Sequence, residues 1–134
     1  MQERQPGLKR SDHHNILLVD DEQDITFAFQ VGLEHNGYKV TAFNDPVLAL
    51  SCFTPGIYDA LLLDIRMPQM GGFEFYRKVR KLDHNILIYF MTAFEQYYEE
   101  FKRALPTLGS VYFIRKPVDI NHLVQELNSK LPLA

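Results

Sequence analysis

Cysteine is nearly absent, long apolar runs are missing and basic charge is not in excess, and each shortage removes a class of protein. With Cys52 alone, no internal disulfide framework can form. Its place in an apolar helical stretch predicts a buried thiol that acts as a small hydrophobe. No stretch approaches the roughly 18 uninterrupted apolar residues of a membrane span. The polar segment from Met1 to Asn15 lacks the apolar core of a signal peptide. Fourteen Lys and Arg against 17 Asp and Glu leave a net charge of −3, so no global positive field draws this segment to nucleic acid.

What remains is enough for one globular core. The chain has 134 residues, 46% of them hydrophobic, which suits a single domain. The expectation is a cytoplasmic domain over residues 15–132 behind a flexible leader at 1–14, with His13 and His14 solvated. Neither a membrane nor nucleic acid is an expected partner of this segment.

Short apolar runs alternate with amphipathic stretches along the chain. Ile16-Leu17-Leu18-Val19 and Ala60-Leu61-Leu62-Leu63 have the length and continuity of strands buried on both faces. Ile86 to Met91 and Val111 to Ile114 read as further strands, and Tyr38 to Phe43 alternates like a strand nearer a sheet edge. Between them, Ile25, Ala28, Phe29 and Leu33 share a helical face that Asn36-Gly37 terminates. Asp45-Pro46 opens a second helix, as an N-cap followed by proline at the first helical position. A third helix runs from about Phe73 to Lys81, with Arg77, Lys78, Arg80 and Lys81 on its wet face. Phe94, Tyr97, Tyr98, Phe101 and Leu105 mark a fourth, and Asp119 caps a fifth that carries Ile120, Leu123, Val124 and Leu127. Five strands alternating with five helices predict an α/β fold with a parallel sheet covered on both faces.

Ligands of such sheets bind beyond the carboxyl ends of the strands. The residues there are Asp20, Asp21 and Glu22 after strand one, Asp64 after strand three, Thr92 after strand four and Lys116 after strand five. No matching set of acids is expected where the strands begin. Taken singly, each is ordinary: an aspartate after a strand caps a helix, and a lysine is solvated. Together, clustered carboxylates repel unless a cation lies among them. A hard divalent ion such as Mg²⁺ fits, and it would offset the charge of a phosphoryl group whose other oxygens Lys116 and Thr92 could contact. A carboxylate that attacks phosphorus forms an acyl phosphate.

Five segments, in order, resemble the receiver domains of two-component response regulators. They are Ile16-Leu-Leu-Val-Asp20-Asp21-Glu22, Leu61-Leu-Leu-Asp64-Ile-Arg-Met-Pro68, Gly71-Gly72-Phe73-Glu74, Phe90-Met-Thr92-Ala93 and Phe113-Ile-Arg-Lys116-Pro117. The resemblance spans about Asn15 to Leu131. It implies a flavodoxin-like doubly wound sheet of order 2-1-3-4-5. It implies that Asp64 accepts a phosphoryl group from a sensor histidine kinase or phosphotransfer protein. Asp21, Asp64 and the main-chain carbonyl of Arg66 would bind Mg²⁺ (or Mn²⁺), with Asp20 acting mainly through water. Thr92 and Lys116 would grip the phosphoryl oxygens. Phe113 would take the aromatic switch position, and the face of helix four, strand five and helix five would signal to an output partner that the sequence does not name.

Three departures stand out. Arg66 and Phe94 hold positions that influence phosphoryl lifetime in this family, and a bulky Phe94 is expected to impede water and lengthen it. Leu105 to Ser110 replaces the usual short turn before strand five. Phe113 lacks a hydroxyl, so its switching would depend on packing.

Other readings are weaker. A nucleotide- or flavin-binding module would want backbone donors after strand one, where this chain presents Asp20-Asp21-Glu22. A pseudo-receiver would have lost a site residue. A haloacid-dehalogenase-type phosphatase would need an aspartate where Arg66 stands, and an EF-hand would need glycine at Ile25. Stand-alone receiver, phosphorelay intermediate and piece of a longer regulator all remain open.

Overall fold

The computed structural model describes residues 14–93 and 110–131, together with Glu99 and Arg103. Its strands are β1 (Asn15–Val19), β2 (Lys39–Phe43), β3 (Ala60–Asp64), β4 (Leu87–Thr92) and β5 (Val111–Arg115). The helices among these residues are α1 (Gln23–His35), α2 (Pro46–Ser51), α3 (Gly72–Leu82) and a C-terminal helix (Ile120–Lys130). The helix expected over Phe94 to Leu105, the connection that follows it and the leader before His14 lie outside the described residues. Four of the five expected helices are therefore seen. None of the described helices is long and apolar enough to cross a membrane.

All strand pairs are parallel, in the order β2-β1-β3-β4-β5. The central strands β3 and β4 are buried at every residue, whereas edge strands β2 and β5 are not. Two-residue periodicity divides the core. Ile16, Leu18, Leu62, Tyr89 and Met91 face α1 and the C-terminal helix. Leu17, Val19, Leu63, Ile88 and Phe90 face the side covered by α2 and α3. Burying each such side chain stabilises the fold by about 1.5–3 kcal/mol, so both faces resist polar substitution.

Local signals close the helices as their sequences predict. Asp45 accepts hydrogen bonds from Val47 and Leu48 N–H at 2.9 and 3.3 Å, and Pro46 is the first residue of α2. At the end of α1, Gly37 takes φ of 93°. Tyr38 N–H then reaches Leu33 carbonyl at 3.1 Å and Gly37 N–H reaches Glu34 carbonyl at 3.0 Å, which satisfies carbonyls the helix leaves open.

Four expectations need correction. Ala28 is exposed, and Thr26 takes the buried place beside Phe29, because the turn of α1 nearest the sheet points Thr26 inward. Cys52 is exposed, since α2 ends at Ser51 and leaves the cysteine outside the packed layer. His14 is buried rather than solvated: its carbonyl accepts from Lys39 N–H at 3.1 Å, which draws it into the start of the sheet. Arg77, Lys78 and Lys81 are exposed, but Arg80 is only half-exposed. Its guanidinium donates to the carbonyls of His84 and Ile86 at 3.0 and 2.8 Å and ties α3 to the approach to β4.

Candidate functional site

Sheet register sets the level of each candidate residue. Val19 pairs with Leu63, so Asp20 and Asp64 follow at the same height on neighbouring strands. Asp64 pairs with Met91 and Thr92 with Arg115, so Thr92 and Lys116 each stand one step farther along. The order of the sheet reverses between β1 and β3, which opens a crevice at that point. Asp20, Asp21, Asp64, Thr92 and Lys116 all reach that rim.

Asp20 is fully buried, Asp64 and Thr92 nearly so, and Asp21 half-buried. Neither Asp20 nor Asp21 caps α1; the cap position is Glu22, whose side chain makes no capping bond. Instead Asp20 Oδ1 accepts from Glu22 N–H at 2.9 Å, and its Oδ2 accepts from Lys116 Nζ at 2.7 Å. Asn44 donates to the Asp20 carbonyl at 2.8 Å and to Thr26 Oγ1 at 2.9 Å, which fastens the loop. Asp64 Oδ1 accepts from Ile65 N–H at 2.8 Å and lies 3.7 Å from Lys116 Nζ. The backbone N–H of Lys116 donates to the Thr92 carbonyl at 2.9 Å, which joins the ends of β4 and β5.

Gly72 holds the third strand end in place. A Cβ there would lie 2.3 Å from the Asp64 carbonyl oxygen and 2.8 Å from Ile65 Cα, so only glycine admits the start of α3 this close. Its N–H donates to the Ile65 carbonyl at 2.7 Å.

The electrostatics follow from burial. Asp64 is pushed up to about 7, first by burial and then by the charge of Asp20, against the pull of Lys116 and the Ile65 N–H. Asp20 is also raised, because burial outweighs its bonds to Lys116 and Glu22. Burial works against the Lys116 ammonium, but Asp20, Asp64 and Glu22 together outweigh it and hold the amine above its ordinary range. Asp20, Asp21 and Asp64 each offer an oxygen within 4.8 Å of the other two. An all-oxygen set of adjacent acids, two of them reluctant to ionise, suits a hard divalent cation of the Mg²⁺ type.

The cleft above these groups, about 340 Å³, is lined by Asp21, Glu22, Asp64, Arg66, Thr92, Ala93 and Lys116. Arg66 is exposed at its mouth, and Phe113 is half-buried on β5 against the side of the core that holds Phe90. Phe94 lies outside the described residues. Sequence reasoning missed the support Asn44, and it quoted Gly72 and Glu22 among the matching segments without giving either a part in the site. Strand beginnings are also not free of acids. Asp59 immediately precedes β3, and Asp83 ends α3 ahead of β4.

A doubly wound parallel sheet with buried acids and a lysine at its switch point defines an α/β domain with a polar, acidic ligand edge. The chain belongs to the response regulator receiver domain family, whose pattern matches residues 16–128. It is thereby a receiver domain of two-component signalling. The response regulator SaeR of Staphylococcus aureus is 32% identical over 117 residues, covering 87% of this chain and 50% of that protein. The chain thus spans about half the length of the curated relatives it matches. The receiver domain of HemR from Leptospira biflexa superposes with a TM-score of 0.80 at 26% identity, covering 90% of this chain and 96% of that one. The response regulator TrrA from Thermotoga maritima, solved in complex with Mg²⁺–BeF, gives 0.74 at 26% identity over 87% of this chain and 97% of its own.

Proposed function

We propose that Asp64 accepts a phosphoryl group from a phosphohistidine on a sensor histidine kinase or phosphotransfer protein. The observation that carries this reading is the single rim on which buried Asp20 and Asp64, half-buried Asp21, and the Lys116 ammonium meet. An Asp64 carboxylate oxygen attacks phosphorus, and the phosphorus–nitrogen bond breaks. The electron pair leaves with the imidazole nitrogen, and an acyl phosphate remains on Asp64. Lys116 and the Thr92 hydroxyl would hold the phosphoryl oxygens, which favours charge delivered to that spot.

Mg²⁺ (or Mn²⁺) would be held by Asp21, Asp64 and the main-chain carbonyl of Arg66, with Asp20 acting through water. When bound, the ion supplies positive charge against the phosphoryl oxygens. A phosphorylated Asp64 would bias a two-state equilibrium that Thr92 and Phe113 report to the face formed around β5 and the C-terminal helix, where an output partner would bind.

The test is intact-mass measurement after treatment with acetyl phosphate and Mg²⁺. The parent is expected to gain the mass of one phosphoryl group, and Asp64→Asn none. Absence of any gain in the parent would defeat the proposal and favour a domain that keeps the fold without the chemistry.

A further inference from the structure

We infer that Glu22 is a positioning residue of this site: its carboxylate tethers the Lys116 ammonium on the Asp20 side of the cleft and keeps it off Asp64. This rests on the reading of the site given above. The ammonium has three N–H donors to share. It sits 2.7 Å from Asp20 Oδ2, 3.5 Å from Glu22 Oε1 and 3.7 Å from Asp64 Oδ1. Asp20 therefore takes the one short bond. Glu22 and Asp64 compete for the same ammonium at nearly equal distances.

Three local facts free Glu22 for this task. Its side chain makes no capping bond although it occupies the cap position of α1. Its backbone N–H is anchored to Asp20 Oδ1 at 2.9 Å, which fixes where the side chain starts. Its side chain lines the same cleft as Asp21, Asp64, Arg66 and Lys116. Without this second anchor, the ammonium would move onto the buried, poorly solvated Asp64 carboxylate. A paired Asp64 is a poorer ligand for a divalent cation, because metal and ammonium compete for the same oxygens. Glu22 thus keeps Asp64 available through a contact between a largely buried ammonium and a solvent-facing carboxylate that is weak on its own.

Two variants separate a tether from a simple charge. Glu22→Ala removes both the charge and the contact. Glu22→Asp keeps the charge but is one methylene too short to hold the ammonium at the same place. Mg²⁺ is titrated into the whole chain, and binding is followed by the NMR amide shifts of Asp21 and Arg66. Both variants are expected to bind Mg²⁺ about two- to fivefold more weakly than the parent, in line with the loss of roughly one weak charge contact. Acetyl phosphate loading of Asp64 at subsaturating Mg²⁺ should slow by a similar factor in both.

Parent-like affinity in both variants would overturn the tether. So would parent-like affinity in Glu22→Asp beside a loss in Glu22→Ala, which would assign the effect to charge alone. A parent that binds no Mg²⁺ would sink the tether together with the proposed function. A parent that binds it while both variants are unchanged sinks the tether only.

Discussion

Aspartates gather at both ends of this sheet, and they behave in opposite ways. At the amino end, Asp59 Oδ2 accepts from Asn15 N–H at 2.7 Å. Asp83 accepts from Gly56, Asn85 and Ile86 N–H at 3.0, 3.1 and 3.2 Å. These carboxylates are spent on backbone donors, and they stitch the turns that start β3 and β4. At the carboxyl end, Asp20 and Asp64 each receive one backbone N–H, are buried, face each other and share one lysine. The first set stabilises the fold. The second set holds like charges close together, a repulsion that a cation would relieve, so residue type alone does not separate the two kinds of aspartate.

The largest expected break in this comparison is one of sign. Folded Asp64 keeps its proton up to about 7, whereas the same carboxyl in an unfolded chain loses it near about 3.9. Between those values the folded state binds more protons, so stability falls as pH rises through that window and the whole penalty is present above it. Asp64→Asn should therefore be more stable than the parent at pH 8, by up to about 4 kcal/mol, and nearly match it at pH 4. Urea unfolding at the two pH values measures this. Saturating Mg²⁺ should narrow the gap, because only the parent gains binding energy from it.

At the other end the sign reverses. Asp83→Ala should lose about 2 kcal/mol in urea unfolding, since three backbone donors lose their acceptor. Its Mg²⁺ affinity should stay at the parent value; a change there would mean the two ends are coupled. The smallest effect belongs to Asp59→Ala, at about 1 kcal/mol for the bond from Asn15 N–H, beside which His14 Nδ1 lies 3.5 Å from the same oxygen. A gain in stability from either variant would erase the distinction between the ends.

Much of the site was legible because it lies at the ends of apolar runs. Leu61 to Leu63 must be buried on both sides, so the next residue, Asp64, must emerge at a strand end. The same logic places Asp20, Thr92 and Lys116. Arg80 and His14 escaped it because their partners, the carbonyls of Ile86 and the neighbouring strand's Lys39 N–H, lie on turns and registers that have no local pattern. Asp59 and Asp83 escaped it because a carboxylate that accepts backbone N–H groups looks, in a sequence, like any other.

The amino-acid sequence by itself determined the alternation of strands and helices, their caps at Asp45 and Gly37, and the set of residues at the carboxyl rim. These depend on periodicity and on nearest neighbours in the chain. Only the tertiary structure decided how Lys116 divides itself among Asp20, Glu22 and Asp64. Lys116 and Asp20 are 96 residues apart, and only the strand register and the placement of the loop after β1 bring Asp20, Glu22 and Asp64 to 2.7, 3.5 and 3.7 Å from the one ammonium.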